Sequence, residues 1–138
     1  SKALGALALL LNNASLFDYD HVETATEQSW DHHLDANLKA PFFLSQSFAA
    51  QMPDGVPGNI INMVDMRVWR LTPHFASYTV SKAGLWTLTQ TLAMAMAPRI
   101  RVNAIGPGPG PLNHLYRLQE SLPSRNVDPA PLAEFTTR

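Results

Sequence analysis

The stretch from Asn59 to Lys82, NIINMVDMRVWRLTPHFASYTVSK, decides how the chain is read. It begins NIINMV, which is apolar and rich in β-branched residues and reads as a buried strand. Its end reads as the start of a helix, on which Tyr78 and Lys82 stand four residues apart and share a face. A tyrosine that exchanges a proton near neutral pH needs its pKa of about 10 lowered by roughly three units, worth ~4 kcal/mol. A cation about 4 Å away in a half-buried site supplies ~4 kcal/mol, so one lysine is of the right size. Taken alone the spacing is most often a solvated helix face, so the neighbouring segments decide its meaning.

Upstream, Ala6 to Leu11 is a continuous apolar run stopped by Asn12-Asn13, as in a strand covered on both faces. Between about Thr24 and Met52 the apolar residues Trp30, Leu34, Leu38, Phe42 and Phe43 recur at helical spacing, with Pro41 expected to kink or divide the helix. PDGVPG, Pro53 to Gly58, is a turn. Downstream, a helix from about Ala76 to Ala97 carries Leu85, Leu88, Leu92 and Met96 on a stripe and is ended by Pro98. Arg101 to Ile105 is a third strand, closed by the Gly-Pro alternation from Gly106 to Pro111. The order strand, helix, strand, helix, strand predicts an α/β fold with a doubly wound, Rossmann-like parallel sheet. One domain over residues 1–138 is expected, with 112–138 as a variable tail in which Asn113 to Gln119 is helical and another helix starts near Asp128-Pro129. In such sheets ligands sit beyond the carboxyl ends of the strands, where Asn12 to Phe17, Val64-Asp65 and Gly106 to Gly110 converge.

Composition narrows the function. A formal charge of -1 with mixed signs offers no basic stripe for nucleic acid or an anionic membrane. The absence of cysteine excludes disulfides, thiolate metal sites and cysteine nucleophiles, and is compatible with a cytoplasmic location. The apolar run after Lys2 is too short to span a bilayer and lacks an A-x-A cleavage pattern, so it reads as a strand. His32 and His33 point about 100° apart on a helix and the other histidines are scattered, so no metal site is expected. The prolines between Gly106, Gly108 and Gly110 lack the N-H groups a phosphate loop needs, and no G-x-S-x-G elbow supports a serine hydrolase.

Five segments together resemble the short-chain dehydrogenase/reductase family: NNAS (Asn12 to Ser15), DANL (Asp35 to Leu38), NIINMVD (Asn59 to Asp65), YTVSK (Tyr78 to Lys82) and IRVNAIGPG (Ile100 to Gly108). They occur in family order and cover most of the chain. The resemblance implies an NAD(P)-dependent oxidoreductase in which Tyr78 gives the proton and Lys82 lowers its pKa and holds the nicotinamide ribose. It implies that Asn37 helps to hold a water in the proton relay, that Asn13 and Ala14 line the adenosine side of the cofactor, and that Pro107 and Gly108 form the turn beside the nicotinamide. A homo-dimer or homo-tetramer is expected from its two long helices. The family's first strand and Gly-rich phosphate turn do not stand in these residues, so the chain reads as part of a longer protein, with its first strand an apolar edge.

One departure sharpens the reading. Thirteen positions before the tyrosine the family usually has a serine that donates to a substrate carbonyl; here Asp65 stands there. A carboxylate has no donor and repels a developing oxyanion, but it accepts N-H groups from an amidine-like heterocycle. Pteridine reductases and the related dihydromonapterin/dihydrofolate reductases resemble this chain in that aspartate, in NNAS and in an aromatic residue two positions later, here Phe17. That branch implies NADPH as cofactor and a pterin or dihydrofolate-type substrate. By the resemblance Phe17 stacks on the pterin, Ser15 touches cofactor and substrate, Asp65 and Tyr78 handle protons, and Arg67 and Trp69 line the pocket. Asp65 also reads as a cap for the following segment and Phe17 as core. A carbonyl or steroid-like substrate, or a Rossmann-like binding module without catalysis, remain the alternatives.

Overall fold

A computed structural model describes residues 7–107 of the chain. They fall in the first of two compact units, Ser1–Gly108 and Pro109–Arg138. The expected tail helices, the region 112–138 and Gly108 lie outside the described residues.

Strand β1 is Leu9–Asn12. Helix α1, Glu27–Leu34, starts at a capping box in which Thr26 and Ser29 satisfy each other's backbone N-H groups. It passes through a π-helical turn, Asp35–Lys39, into α2, Ala40–Gln51. Strand β2 is Gly58–Met63, followed by a 3-10 turn, Met66–Val68. Helix α3, Ala76–Met96, leads to β3, Ile100–Ile105. All pairings are parallel in the order β1-β2-β3, with Leu10 opposite Ile60 and Ile60 opposite Val102. This is the expected Rossmann-like sheet with flanking helices.

Pro41 stands where the long helix is divided, at the start of α2 directly after the π-helical turn. A proline has no N-H for the carbonyl four residues back, here that of Asn37, and the wider π-turn absorbs the mismatch, with Ala40 N-H donating to Asp35 O. Pro98 acts as expected. Helix α3 ends at Met96, and Ala97 before the proline turns extended, with ψ 150°.

Each crossover runs to the next strand in the same direction, so right-handed connections put both helical layers on one face of the sheet. Ile60, Ile100 and Val102 meet Phe48, Met52 and Leu92 there and form the core. The expectation of a first strand buried on both faces does not hold among the described residues: Leu9 and Leu11 are 55% and 52% exposed on the other face. The expected apolar helix stripe is met only in part. Leu34 and Leu38 are half-buried, Leu38 against Gly84 of α3, but Trp30, Phe42 and Phe43 are exposed, and the fully buried residues of the long helix are His33, Asn37, Pro41, Ser45 and Phe48. That side is mostly polar because His33 and Asn37 make hydrogen bonds to α3 and to the loop after β1, described below.

Behind the core an amide chain sets the carboxyl ends of the strands. Asn12 Nδ2 donates to Asn62 Oδ1 at 2.7 Å, and Asn62 Nδ2 donates to Thr89 Oγ1 on α3 at 2.9 Å. Buried hydrogen bonds of this kind hold register, because a slip of either strand leaves polar groups unpaired.

Candidate active site

Tyr78 and Lys82 stand one turn apart near the start of α3, and both are buried. Tyr78 Oη donates to Asp65 Oδ2 at 2.9 Å. Asp65 Oδ1 accepts the backbone N-H of Arg67 at 2.8 Å and caps the 3-10 turn, so one carboxylate serves as the expected cap and as the acceptor for the Tyr78 phenol. Lys82 Nζ donates to Met63 O at 2.8 Å and lies 5.8 Å from the Tyr78 ring centroid. The ammonium is thus anchored to the end of β2, with one of its three donors committed.

The electrostatics differ from the expectation of a lysine-lowered phenol. Burial, and then the Asp65 charge and hydrogen bond, push the Tyr78 pKa well above its ordinary value, while Arg67 and the Ser15 hydroxyl pull it down. Burial lowers the Lys82 pKa, with Asp65 opposing. The phenol is therefore held in its protonated form. A group whose pKa is raised on folding contributes stability that is fully present below its unfolded pKa of about 10 and is lost as pH rises through the folded value. Lys82 runs the opposite way, its burial cost relieved as pH rises through its lowered pKa. Comparing urea unfolding of the full-length protein and its Tyr78→Phe variant at pH 9 and pH 11 isolates the tyrosine. The wild type is expected to lose more stability across that interval than the variant; equal losses would contradict the raised pKa.

Asn37 is fully buried and its side chain is saturated by protein partners. Its Oδ1 accepts from Leu16 N at 2.8 Å and Ser15 Oγ at 3.1 Å, and its Nδ2 donates to Leu16 O at 2.9 Å and Ser81 Oγ at 3.0 Å. The side chain clamps the loop after β1 to α3, which places Ser15 beside Tyr78. Phe17 stacks on Phe75 with centroids 4.5 Å apart and planes 5° apart, and meets Tyr78 edge-on at 4.5 Å. Arg67 Cζ lies 4.5 Å from the Phe75 centroid and 5.6 Å from that of Phe17. Trp69 packs on Gly106, where a Cβ would come within 2.9 Å of its ring, and faces Trp86 at 5.4 Å. Asn13, Ala14 and Pro107 are exposed at the carboxyl ends of β1 and β3.

The structure thus brings Ser15, Phe17, Asn37, Asp65, Tyr78 and Lys82 to one rim of the sheet, with Arg67 included. It also adds residues that no motif marked: Asp20, His33, Phe75 and Ser77. Their hydrogen bonds and ring contacts join segments distant in sequence. Among the described residues no group of three or more acidic or histidine side chains is placed to hold a metal ion, and no helix is long and apolar enough to cross a membrane.

A family model described as short chain dehydrogenase matches residues 1–113. The chain belongs to this family. Among curated relatives, the short chain dehydrogenase chain is 40% identical over 90 residues to the probable galactose dehydrogenase GalD of Rhizobium meliloti, covering 65% of this chain and 35% of that protein. Among solved structures it is similar to FolM alternative dihydrofolate reductase 1 from Brucella suis in complex with NADP, with 48% identity and a TM-score of 0.75 over 78% of this chain and 45% of the other. The corresponding Brucella canis enzyme, also complexed with NADP, gives 43% identity and a TM-score of 0.76, covering 86% and 50%. The chain spans about a third of the length of the curated relatives it matches and about half of the solved chains.

Proposed function

We propose that the protein containing this chain is an NADPH-dependent reductase of a pterin or dihydrofolate-type substrate. The observation that carries the reading is the Asp65 carboxylate hydrogen-bonded to the Tyr78 phenol beside the Phe17–Phe75 stack. A flat heterocycle suits an aromatic wall, and its amino and ring N-H groups suit a carboxylate that has no donor. The likeness to two FolM dihydrofolate reductases supports the same reading.

The residues fit the nicotinamide end of the cofactor. Lys82 has ammonium donors to offer ribose hydroxyls, Tyr78 lies beside it, and Asn13, Ala14 and Pro107 are exposed along the same rim. When bound, NADPH supplies the hydride. The ring nitrogen next to the reduced carbon must then take up a proton, and Tyr78 Oη carries one held in place by Asp65. As that proton leaves, Arg67 and Ser15 stabilise the phenolate. Asn37 keeps Ser15 in position, and Phe17 bounds the ring.

A second reading, reduction of a carbonyl or oxidation of an alcohol, is favoured by the likeness to sugar and polyol dehydrogenases such as GalD and the galactitol 2-dehydrogenase of Agrobacterium fabrum. A panel with the full-length protein separates the two, with dihydropterins, dihydrofolate and aromatic ketones read by NADPH oxidation and aldoses and polyols by reduction of the oxidised cofactor. The highest kcat/KM is expected for a pterin or folate; turnover confined to ketones or sugars would refute the pterin reading. We also propose a cytoplasmic homo-dimer or homo-tetramer, joined through α2 and α3, which expose Phe43, Leu44, Val80 and Met94. Light scattering of the full-length protein is expected to give an oligomer, and a stable monomer would exclude it.

A further inference from the structure

We propose that Asp20, Ser77 and His33 form a buried positioning network that aims Tyr78 and holds the Phe17–Phe75 wall against it. The three residues are at most 2% exposed. The backbone N-H of Asp18 donates to His33 Nε2 at 3.0 Å. A backbone N-H can only donate, so Nε2 is unprotonated and the neutral ring carries its proton on Nδ1. His33 Nδ1 therefore donates to Ser77 Oγ at 2.7 Å, and Ser77 Oγ donates in turn to Asp20 Oδ2. The chain has one direction, from α1 through α3 to the loop after β1.

Two features tie this chain to the site. Helix α3 has no cap of its own, because the residue before it is Phe75 in the left-handed region, φ 59° and ψ 47°. Such a backbone is unfavourable for an aromatic residue. Asp20 supplies what is missing: its carbonyl accepts Phe75 N-H at 2.6 Å and its carboxylate accepts Ser77 N-H at 3.4 Å. A carboxylate at a helix N-terminus is also favoured by the helix dipole. Tyr78 follows Ser77 directly, and its ring lies 6.0 Å from that of His33. Fixing Ser77 and Phe75 thus fixes both the phenol and the aromatic wall beside it.

The second feature is a cost. Asp20 Oδ1 is buried with no hydrogen-bond partner among the described residues. A buried carboxylate with an orphaned oxygen stabilises a fold poorly. Its return is geometric, in the strained turn at Phe75 and the orientation of the helix start that carries Tyr78.

The proposal uses the reductase reading only to choose an assay. Ser77→Ala removes the link. His33→Gln keeps an acceptor for Asp18 and loses the donor to Ser77, whereas His33→Asn keeps a donor near Nδ1 and loses the acceptor. In the full-length enzyme, Ser77→Ala and His33→Gln should lower kcat about tenfold to hundredfold with little change in the KM for NADPH, and His33→Asn should retain most of kcat. The 13Cζ resonance of Tyr78 in tyrosine-labelled protein should move in the first two variants and stay close to wild type in the third. Unchanged kcat and resonance in Ser77→Ala and His33→Gln would overturn the network. So would losses in all three variants that simply follow their melting temperatures. If the wild type reduces carbonyls and not pterins, the pterin reading fails and the variants are read on the carbonyl substrate; if it reduces neither, the resonance decides alone.

Discussion

Tyr78→Phe in the full-length enzyme is expected to lower kcat about 10²- to 10⁴-fold while NADPH still binds. The change deletes one oxygen and leaves the ring, so the edge contacts with Phe17 and His33 persist and the site keeps its shape. What disappears is the proton held between Tyr78 Oη and Asp65 Oδ2 at 2.9 Å. The other hydroxyls of the described site are committed elsewhere: Ser15 is exposed and donates to Asn37, Ser81 donates to the Tyr78 carbonyl, and Ser77 donates to Asp20. Asp65 stays capped by Arg67 N-H, so the 3-10 turn should survive. Steady-state rates with the best substrate of the panel, and NADPH affinity by calorimetry, form the check. A variant that turns over near the wild-type rate would remove Tyr78 from the mechanism.

Asp65→Ser is expected to lower kcat/KM for pterins by about 10- to 10³-fold and to raise the ratio of carbonyl to pterin reduction. The physical ground is the reversal of hydrogen-bond role. A carboxylate accepts from ring N-H groups and repels an oxyanion; a serine hydroxyl donates to one. Two of the three influences that raise the Tyr78 pKa come from Asp65, so the phenol of the variant should ionise more readily and its activity should persist to a different pH limit. Serine is itself a good cap, so the turn Met66–Val68 should form in the variant too. The measurement is a pair of kcat/KM values across pH for one pterin and one ketone. A rise in pterin reduction, or a ratio that does not move, would show that Asp65 has no part in substrate choice.

Much of the fold was legible because parallel strands and long helices announce themselves in local pattern. The expected second strand, third strand and long final helix agree with β2, β3 and α3 to within a residue or two, since Gly58, Pro98 and the β-branched runs act over short range. The helix between β1 and β2 is also legible, but its buried face only in part. Hydrophobic periodicity marks Trp30, Leu34, Leu38, Phe42 and Phe43, of which Leu34 and Leu38 are half-buried and the three aromatics exposed, whereas full burial follows His33, Asn37, Pro41 and Ser45. His33 and Asn37 are buried there because partners from α3 and the loop after β1 satisfy them, while Ser45 bonds back to the Pro41 carbonyl, and a one-dimensional pattern holds no record of partners distant in sequence.

For the site the division is similar. The family, the Tyr78/Lys82 pair one turn apart and the carboxylate thirteen residues upstream can all be read from the residues in order, because each is a matter of residue type at fixed spacing. It took the folded chain to show that Asp65 binds the phenol directly, that Lys82 reaches back to Met63, and that burial and Asp65 raise the tyrosine pKa where a lysine-lowered phenol was expected. Those outcomes depend on through-space distance and on how much water is excluded around each charge. Both are set when β2, α3 and the loop after β1 come together, and neither is a property of any one segment.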